Sequence, residues 1–219
     1  VNEYDTNKVA AVFGQGNDEF VHSFLDGFTE RFESLGGEVV DVLEMGSEIE
    51  DIREVAAELK ANGYEYILAN TDAYDLALLA QYSDQIDYHP HWLSSVWAGT
   101  NELIEKGGQT AEGIELVLGF HPDYPTHEYQ DFKERYIDRF GKEPSLLSSH
   151  GYNAVMYLAE GLKLTNGSKE GLKDALLSVD SLDALQGDII FDDFGDVIMT
   201  VFIARITDGE FLIIESILP

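Results

Sequence analysis

Residues 8–13 (KVAAVF) form a short apolar run that stops at Gly14-Gln-Gly16, and the chain then changes period, placing Phe20, Phe24, Phe28, Phe32 and Leu35 on one helical stripe. Gly36-Gly37 ends that helix, and residues 38–43 (EVVDVL) read as a second strand, which completes a βαβ unit. The alternation continues. Ser47 and Glu50 have capping-box spacing ahead of a helix carrying Ile52, Val55 and Leu59, and Asn62-Gly63 closes it. Residues 66–69 (YILA) make the next strand, Asp72 is placed to cap a helix through Leu76 and Leu79, and strands are predicted over 92–95 and 114–119. Parallel strands need a crossover between them, and a helix is the usual one. The fold class is therefore α/β, a parallel sheet with helices on both faces.

After Gly119 the texture changes. His121-Pro122-Asp-Tyr-Pro125 reads as a crossing between domains, and helices are predicted along Tyr129, Phe132, Tyr136 and Phe140, over 149–164 and over 169–177. Strands follow over 188–191, 198–206 and 211–217, with turns at 192–196 (DDFGD) and 207–210 (TDGE).

With 44% hydrophobic residues in 219 the chain can bury a core, so charge is the informative part of its composition. Lys and Arg total 13 against 42 Asp and Glu, a formal net charge of −29. Such a surface repels nucleic acid and anionic lipid, so neither is an expected partner. Cysteine is absent, which removes disulfides, thiolate metal sites and cysteine nucleophiles. No run of about 18 apolar residues occurs, and residues 1–8 lack the basic and apolar regions of a signal peptide. The acidic excess suits a surface adapted to high salt or, as the other reading, an ordinary acidic secreted protein. We expect the melting temperature to rise as NaCl goes from low to roughly molar concentration, because screening relieves self-repulsion; a flat or falling curve contradicts that adaptation.

The usual local signatures of enzymes are missing. Gly14-Gln-Gly16 supplies two glycines of a dinucleotide fingerprint, but Glu19 stands where the third belongs and Asp18 would face a pyrophosphate. His89 and His91 are two apart but bring no third metal ligand with them, and the acids at 192, 193 and 196 do not follow an EF-hand's spacing. No metal, no cofactor and no catalytic residue is assigned. In an open α/β sheet ligands bind beyond the carboxyl ends of the strands, which here are 14–20, 70–74 and 94–101. Those segments would gather Phe20, Thr71, Asp72, Tyr74, Ser95 and Trp97 around one crevice. Each also has a structural use, as core for Phe20, cap for Asp72 and loop packing for Trp97.

Several phrases, taken in order, resemble the type 1 periplasmic binding proteins, in particular the branched-chain amino-acid (Leu/Ile/Val) branch that serves ABC transporters. They are Lys8-Val-Ala-Ala-Val-Phe with Leu35-Gly-Gly-Glu-Val-Val, Ala111-Glu-Gly113, Phe140-Gly-Lys-Glu-Pro144, Gly151-Tyr-Asn-Ala154, Gly187-Asp-Ile-Ile-Phe-Asp192 with Gly195-Asp196, and Asp208-Gly-Glu-Phe211. The resemblance implies a second ligand-binding lobe from residues 1–120 and 199–219, and the C-terminal portion of the first lobe from 121–198. It also implies that most of the first lobe is absent here or lies on another chain. Apolar faces around Phe132, Tyr136 and Tyr152 would then be partly uncovered.

By the same resemblance Phe20 falls where the family has a ligand-lining Tyr, and Val21 falls on the Gly after it. The loop Thr71-Asp72-Ala73 lies at another ligand-contacting position, and Val96, between Ser95 and Trp97, stands where amino-acid binders place a carboxylate. Without an acid at Val96, either Asp72 meets a ligand ammonium or the ligand is not an α-amino acid. The implied function is capture of a small polar organic ligand, an amino acid or related carboxylate or aromatic compound, by hinge closure of two lobes near 119–122 and 192–199, without catalysis. Delivery to an ABC transporter permease implies a periplasmic or extracellular, cell-surface location. The same fold also serves ligand-sensing receptor ectodomains, and a nucleotide-using cytoplasmic enzyme is the reading from another class.

Overall fold

A computed structural model describes residues 6–16, 18–192 and 196–218. The chain divides into two compact units, one of Val1–Leu118 with Ile203–Ile214, the other of Gly119–Phe202 with Glu215–Pro219.

The first unit is built by the predicted alternation: β1 (Lys8–Gly14), α1 (Asp18–Ser34), β2 (Glu38–Met45), α2 (Ile49–Asn62), β3 (Tyr66–Asn70), α3 (Ala73–Gln85), β4 (His91–Ser94), α4 (Asn101–Gly107) and β5 (Glu115–Leu118). With β9 (Val201–Thr207) and β10 (Glu210–Ile217) these strands form a sheet in the order β10-β9-β5-β4-β3-β1-β2. The pairs β1–β2, β1–β3, β3–β4 and β4–β5 are all parallel. Because β2 lies outside β1 while β3 starts the run on its other side, the order reverses between β1 and β3, and the helices that follow these two strands go to opposite faces. On one face Phe32 of α1, backed by Phe24 and Phe28, packs on Val9, Ala11 and Leu68. On the other, α3 is flanked by α2 and α4, and Ile52, Leu59, Leu76 and Leu79 are fully buried.

Two close backbone approaches fix this unit. A Cβ on Gly37 would lie 2.5 Å from the Phe32 ring, so the turn into β2 closes directly over that ring. Gly37→Ala should therefore lower stability by roughly 1–3 kcal/mol in denaturant titration, the range for overpacking, whereas an unchanged midpoint would mean the ring is free to move aside. In the turn between β9 and β10, Asp208 and Gly209 both have positive φ (53° and 75°), and their N–H groups donate to the Glu112 carboxylate at 2.9 and 2.7 Å.

The sequence expectations need three corrections here. The Ser47–Glu50 capping box does not form: the α2 cap position is Glu48, and the Ser47 hydroxyl donates instead to Asp75. Leu35 is exposed, since the helix stops at Ser34 and the stripe's last residue falls on the turn. The strand predicted over 198–206 is two strands in different sheets, β8 (Val197–Ile198) and β9, separated by Met199 and the buried Thr200.

The second unit contains α5 (His127–Phe140), α6 (Leu146–Leu164), α7 (Leu172–Leu177) and an antiparallel sheet of β6 (Ser181–Ala184), β7 (Gly187–Phe191) and β8. β6 was not predicted; it exists by pairing with β7 across a reversal where Gly187 adopts φ 98°, a conformation open to glycine. Tyr129 is fully buried with Phe132 and Leu185, its hydroxyl donating to the Pro122 carbonyl at 3.0 Å, while Tyr136 and Tyr152 pack against the same cluster. Of the face expected to be partly uncovered, Phe132 is buried while Tyr136 and Tyr152 are half-buried; exposed apolar side chains also lie on α5 (Ile137, Phe140) and on α6 (Leu147, Val155, Leu158, Leu164), whose buried residues are Ser149, Asn153 and Gly161. On the buried side Asn153 accepts the Leu185 N–H at 3.2 Å. The tip of the 192–196 turn, residues 193–195, lies outside the described residues.

Candidate functional site

Strands β1, β3 and β4 run parallel and end at one edge of the first unit, at the point where the strand order reverses. Gly14 closes β1 against Thr71, a Cβ there meeting the threonine side chain at 3.3 Å. Phe20 sits in the first turn of α1, and Trp97 in a short 3₁₀ turn (Val96–Ala98) after β4. Although β3 lies between their strands, the two rings meet edge-to-face, 6.2 Å between centroids at 86°. Both rings are half-buried, so part of each stays accessible at this edge.

Asp72 caps α3, its Oδ1 accepting the Asp75 N–H at 2.9 Å, and it is half-buried. Val96 and Trp97 are likewise half-buried, and Tyr74 is exposed. Thr71, Ala73 and Ser95 are buried: the Thr71 hydroxyl donates to the Asp72 carbonyl at 3.1 Å, and Ser95 Oγ accepts the Trp97 N–H at 3.3 Å. Of the predicted set, Phe20, Asp72, Tyr74, Val96 and Trp97 thus reach the surface, while Thr71, Ala73 and Ser95 are buried beneath them.

Sequence reasoning missed two neighbours. Asn70, the last residue of β3, is 2% exposed; its Nδ2 donates to the Val21 carbonyl at 3.4 Å and its Oδ1 accepts the Ser95 hydroxyl at 2.6 Å. Asp75 is 4% exposed and accepts the Ser47 hydroxyl at 3.2 Å. Burial first, and then the Asp72 charge, push the Asp75 carboxyl above its ordinary value, with the Ser47 hydroxyl pulling the other way. The native state then holds this proton more tightly than the unfolded chain does. The stability it lends is present below the unfolded carboxyl value and is lost as pH rises through the raised native one, so ionised Asp75 is a cost at neutral pH. We expect Asp75→Asn to raise the melting temperature at neutral pH, with the gain shrinking as the solution is acidified; a loss at neutral pH contradicts this.

The electrostatics of the edge are one-sided. First turns at this edge carry Asp18 and Glu19, Glu50 and Asp51, Asp75 and Glu102, while Arg31, Lys60 and Lys106 sit in the last turns of α1, α2 and α4, away from it. This distribution suits the helix dipoles and makes the edge negative. His89 lies near Asp84 and Asp87, and His91 stacks on Tyr66 at 4.6 Å. Among the described residues no three His, Asp or Glu converge on a metal position.

The architecture and the switch-point edge are those of a type 1 periplasmic-binding-protein fold, of which this chain spans part. It aligns over 97% of its length with a leucine-binding protein from Thermotoga maritima at TM-score 0.84 and 23% identity. It aligns over 99% with a branched-chain amino-acid binding protein from Streptococcus pneumoniae in complex with isoleucine, TM-score 0.84 and 16% identity. Over 98% it aligns with a solute-binding protein from R. palustris in complex with benzoate, TM-score 0.83 and 16% identity. The chain spans 61%, 62% and 59% of those proteins respectively. Residues 1–210 match the family described as periplasmic binding protein, and the chain belongs to that family.

Proposed function

We propose that this chain is the larger part of an extracytoplasmic solute-binding protein that captures a small organic ligand for an ABC transporter permease, without catalysis. In this reading residues 1–120 and 199–219 are the second ligand-binding lobe and 121–198 the C-terminal portion of the first, with the strand-end edge of the first unit as one wall of the ligand site. The observation that carries it is the Phe20–Trp97 contact, which joins the segments after β1 and β4 at the switch point, with Asp72 on the loop after β3, the strand between them. Phe20 and Trp97 take an apolar or aromatic group, and the free oxygen of Asp72 accepts a donor. Isoleucine and benzoate, bound in two of the structural neighbours, span the expected ligand range of amino acids and small aromatic carboxylates. The negative edge favours the first kind, whose ammonium it can face.

A thermal-shift panel of amino acids, aromatic carboxylates and nucleotides tests this. One of the first two classes should raise the melting temperature, and that rise should shrink in Trp97→Ala at the same ligand concentration. Stabilisation by a nucleotide alone would replace the reading with that of a nucleotide-using enzyme.

A further inference from the structure

The Phe20–Trp97 pair joins the first turn of α1 to the turn after β4, segments whose strands are not neighbours in the sheet, so something must hold them in register. The direct ring contact is a weak tie, since an aromatic pair contributes about 0.5–1.5 kcal/mol beyond its burial. Beneath it runs a continuous polar line. The Asn70 Nδ2 donates to the Val21 carbonyl, one residue from Phe20; Asn70 Oδ1 accepts the Ser95 hydroxyl; and Ser95 Oγ accepts the N–H of Trp97 itself. Asn70 and Ser95 are both buried, so water does not compete for these bonds.

We propose that Asn70 is a positioning residue of the ligand site, whose amide locks the first turn of α1 to the Trp97 turn and so sets the spacing of the Phe20 and Trp97 rings. The inference rests on the reading of this edge as a ligand wall. An amide is required because one end of the side chain must donate and the other accept. A carboxylate would keep the Ser95 bond but set an oxygen against the Val21 carbonyl, and an aliphatic side chain would lose both bonds. Nearby polar groups do not duplicate the tie. The Thr71 hydroxyl is spent on the Asp72 carbonyl, and the Ser94 hydroxyl donates to the Ala69 carbonyl.

The chain has two tryptophans, so 5-fluorotryptophan labelling gives two ¹⁹F lines, assigned by Trp97→Phe, with buried Trp92 of β4 as the internal reference. In Asn70→Asp the Trp97 line should shift as the α1 end of the tie is lost and the Phe20 ring moves against Trp97, and in Ser95→Ala it should shift and narrow as the turn gains freedom, while the Trp92 line stays in place. Should Asn70→Asp not fold, Ser95→Ala, which removes only the Trp97 end, carries the same test. An unmoved Trp97 line in the folded variant overturns the proposal. So does equal movement of both lines with a fall in melting temperature, which marks Asn70 as a general core residue. L-isoleucine and benzoate are then titrated into the unsubstituted chain. For whichever moves the Trp97 line, Asn70→Asp should weaken binding about tenfold, the weight of one lost hydrogen bond, and unchanged affinity overturns the role in binding. If neither compound moves that line, the reading of the edge as a site for those two compounds fails, while the fate of the Asn70 tie is still decided by the variants.

Discussion

Phe32→Ala should lower the stability of the first unit by about 3–5 kcal/mol, the usual cost of emptying a buried phenylalanine site. Phe32 is 8% exposed, stacks on Phe28 at 5.3 Å and is covered by the turn at Gly37, so little around it can collapse into the gap. Its loss removes the anchor that holds α1 on Val9, Ala11 and Leu68. Urea titration followed by circular dichroism measures the effect. A change below about 1 kcal/mol would mean that α1 is held by something other than this stripe.

Phe20 lies on the same helical stripe, three turns earlier, and should behave in the opposite way. It is half-buried and its ring meets Trp97 at the strand-end edge rather than the sheet face. Phe20→Ala and Trp97→Ala should each weaken ligand binding by roughly 1–3 kcal/mol while leaving most of the stability in place, since truncating an aromatic anchor at a binding surface costs affinity first. Calorimetric titration with the compound that stabilises the chain provides the affinity, and the melting curve without it provides the stability. Should Phe20→Ala instead cost several kcal/mol of stability and leave affinity unchanged, Phe20 belongs to the core with Phe32, and the wall must be drawn without it.

The contrast between these two phenylalanines shows how far the sequence can be read. Periodicity places Phe20, Phe24, Phe28 and Phe32 on one face, and alternation of strands with helices yields the parallel order, because both are properties of a local pattern. Periodicity does not say where along the stripe the sheet ends, and that decides between core and mouth. Asp72 was legible as a cap because capping is a short-range bond, and it is made, to the Asp75 N–H. Ser47 was misread for the complementary reason. Its hydroxyl has a partner 28 residues away that outcompetes the local one. Asn70 stood in the strand-end segment 70–74 without a role, since its partners Val21 and Ser95 lie 49 and 25 residues distant and no local spacing announces them. The same holds for Asn153, whose partner, the Leu185 N–H, lies 32 residues away.

The most direct test of the central claim is a crystal structure of the chain with the compound that the thermal-shift panel selects. Density for that compound should lie against the Phe20 and Trp97 rings, with a donor atom within hydrogen-bond distance of the Asp72 carboxylate. Density elsewhere, for instance in the apolar groove lined by Tyr157, Leu176 and Phe191, with Phe20 and Trp97 bare, would contradict it.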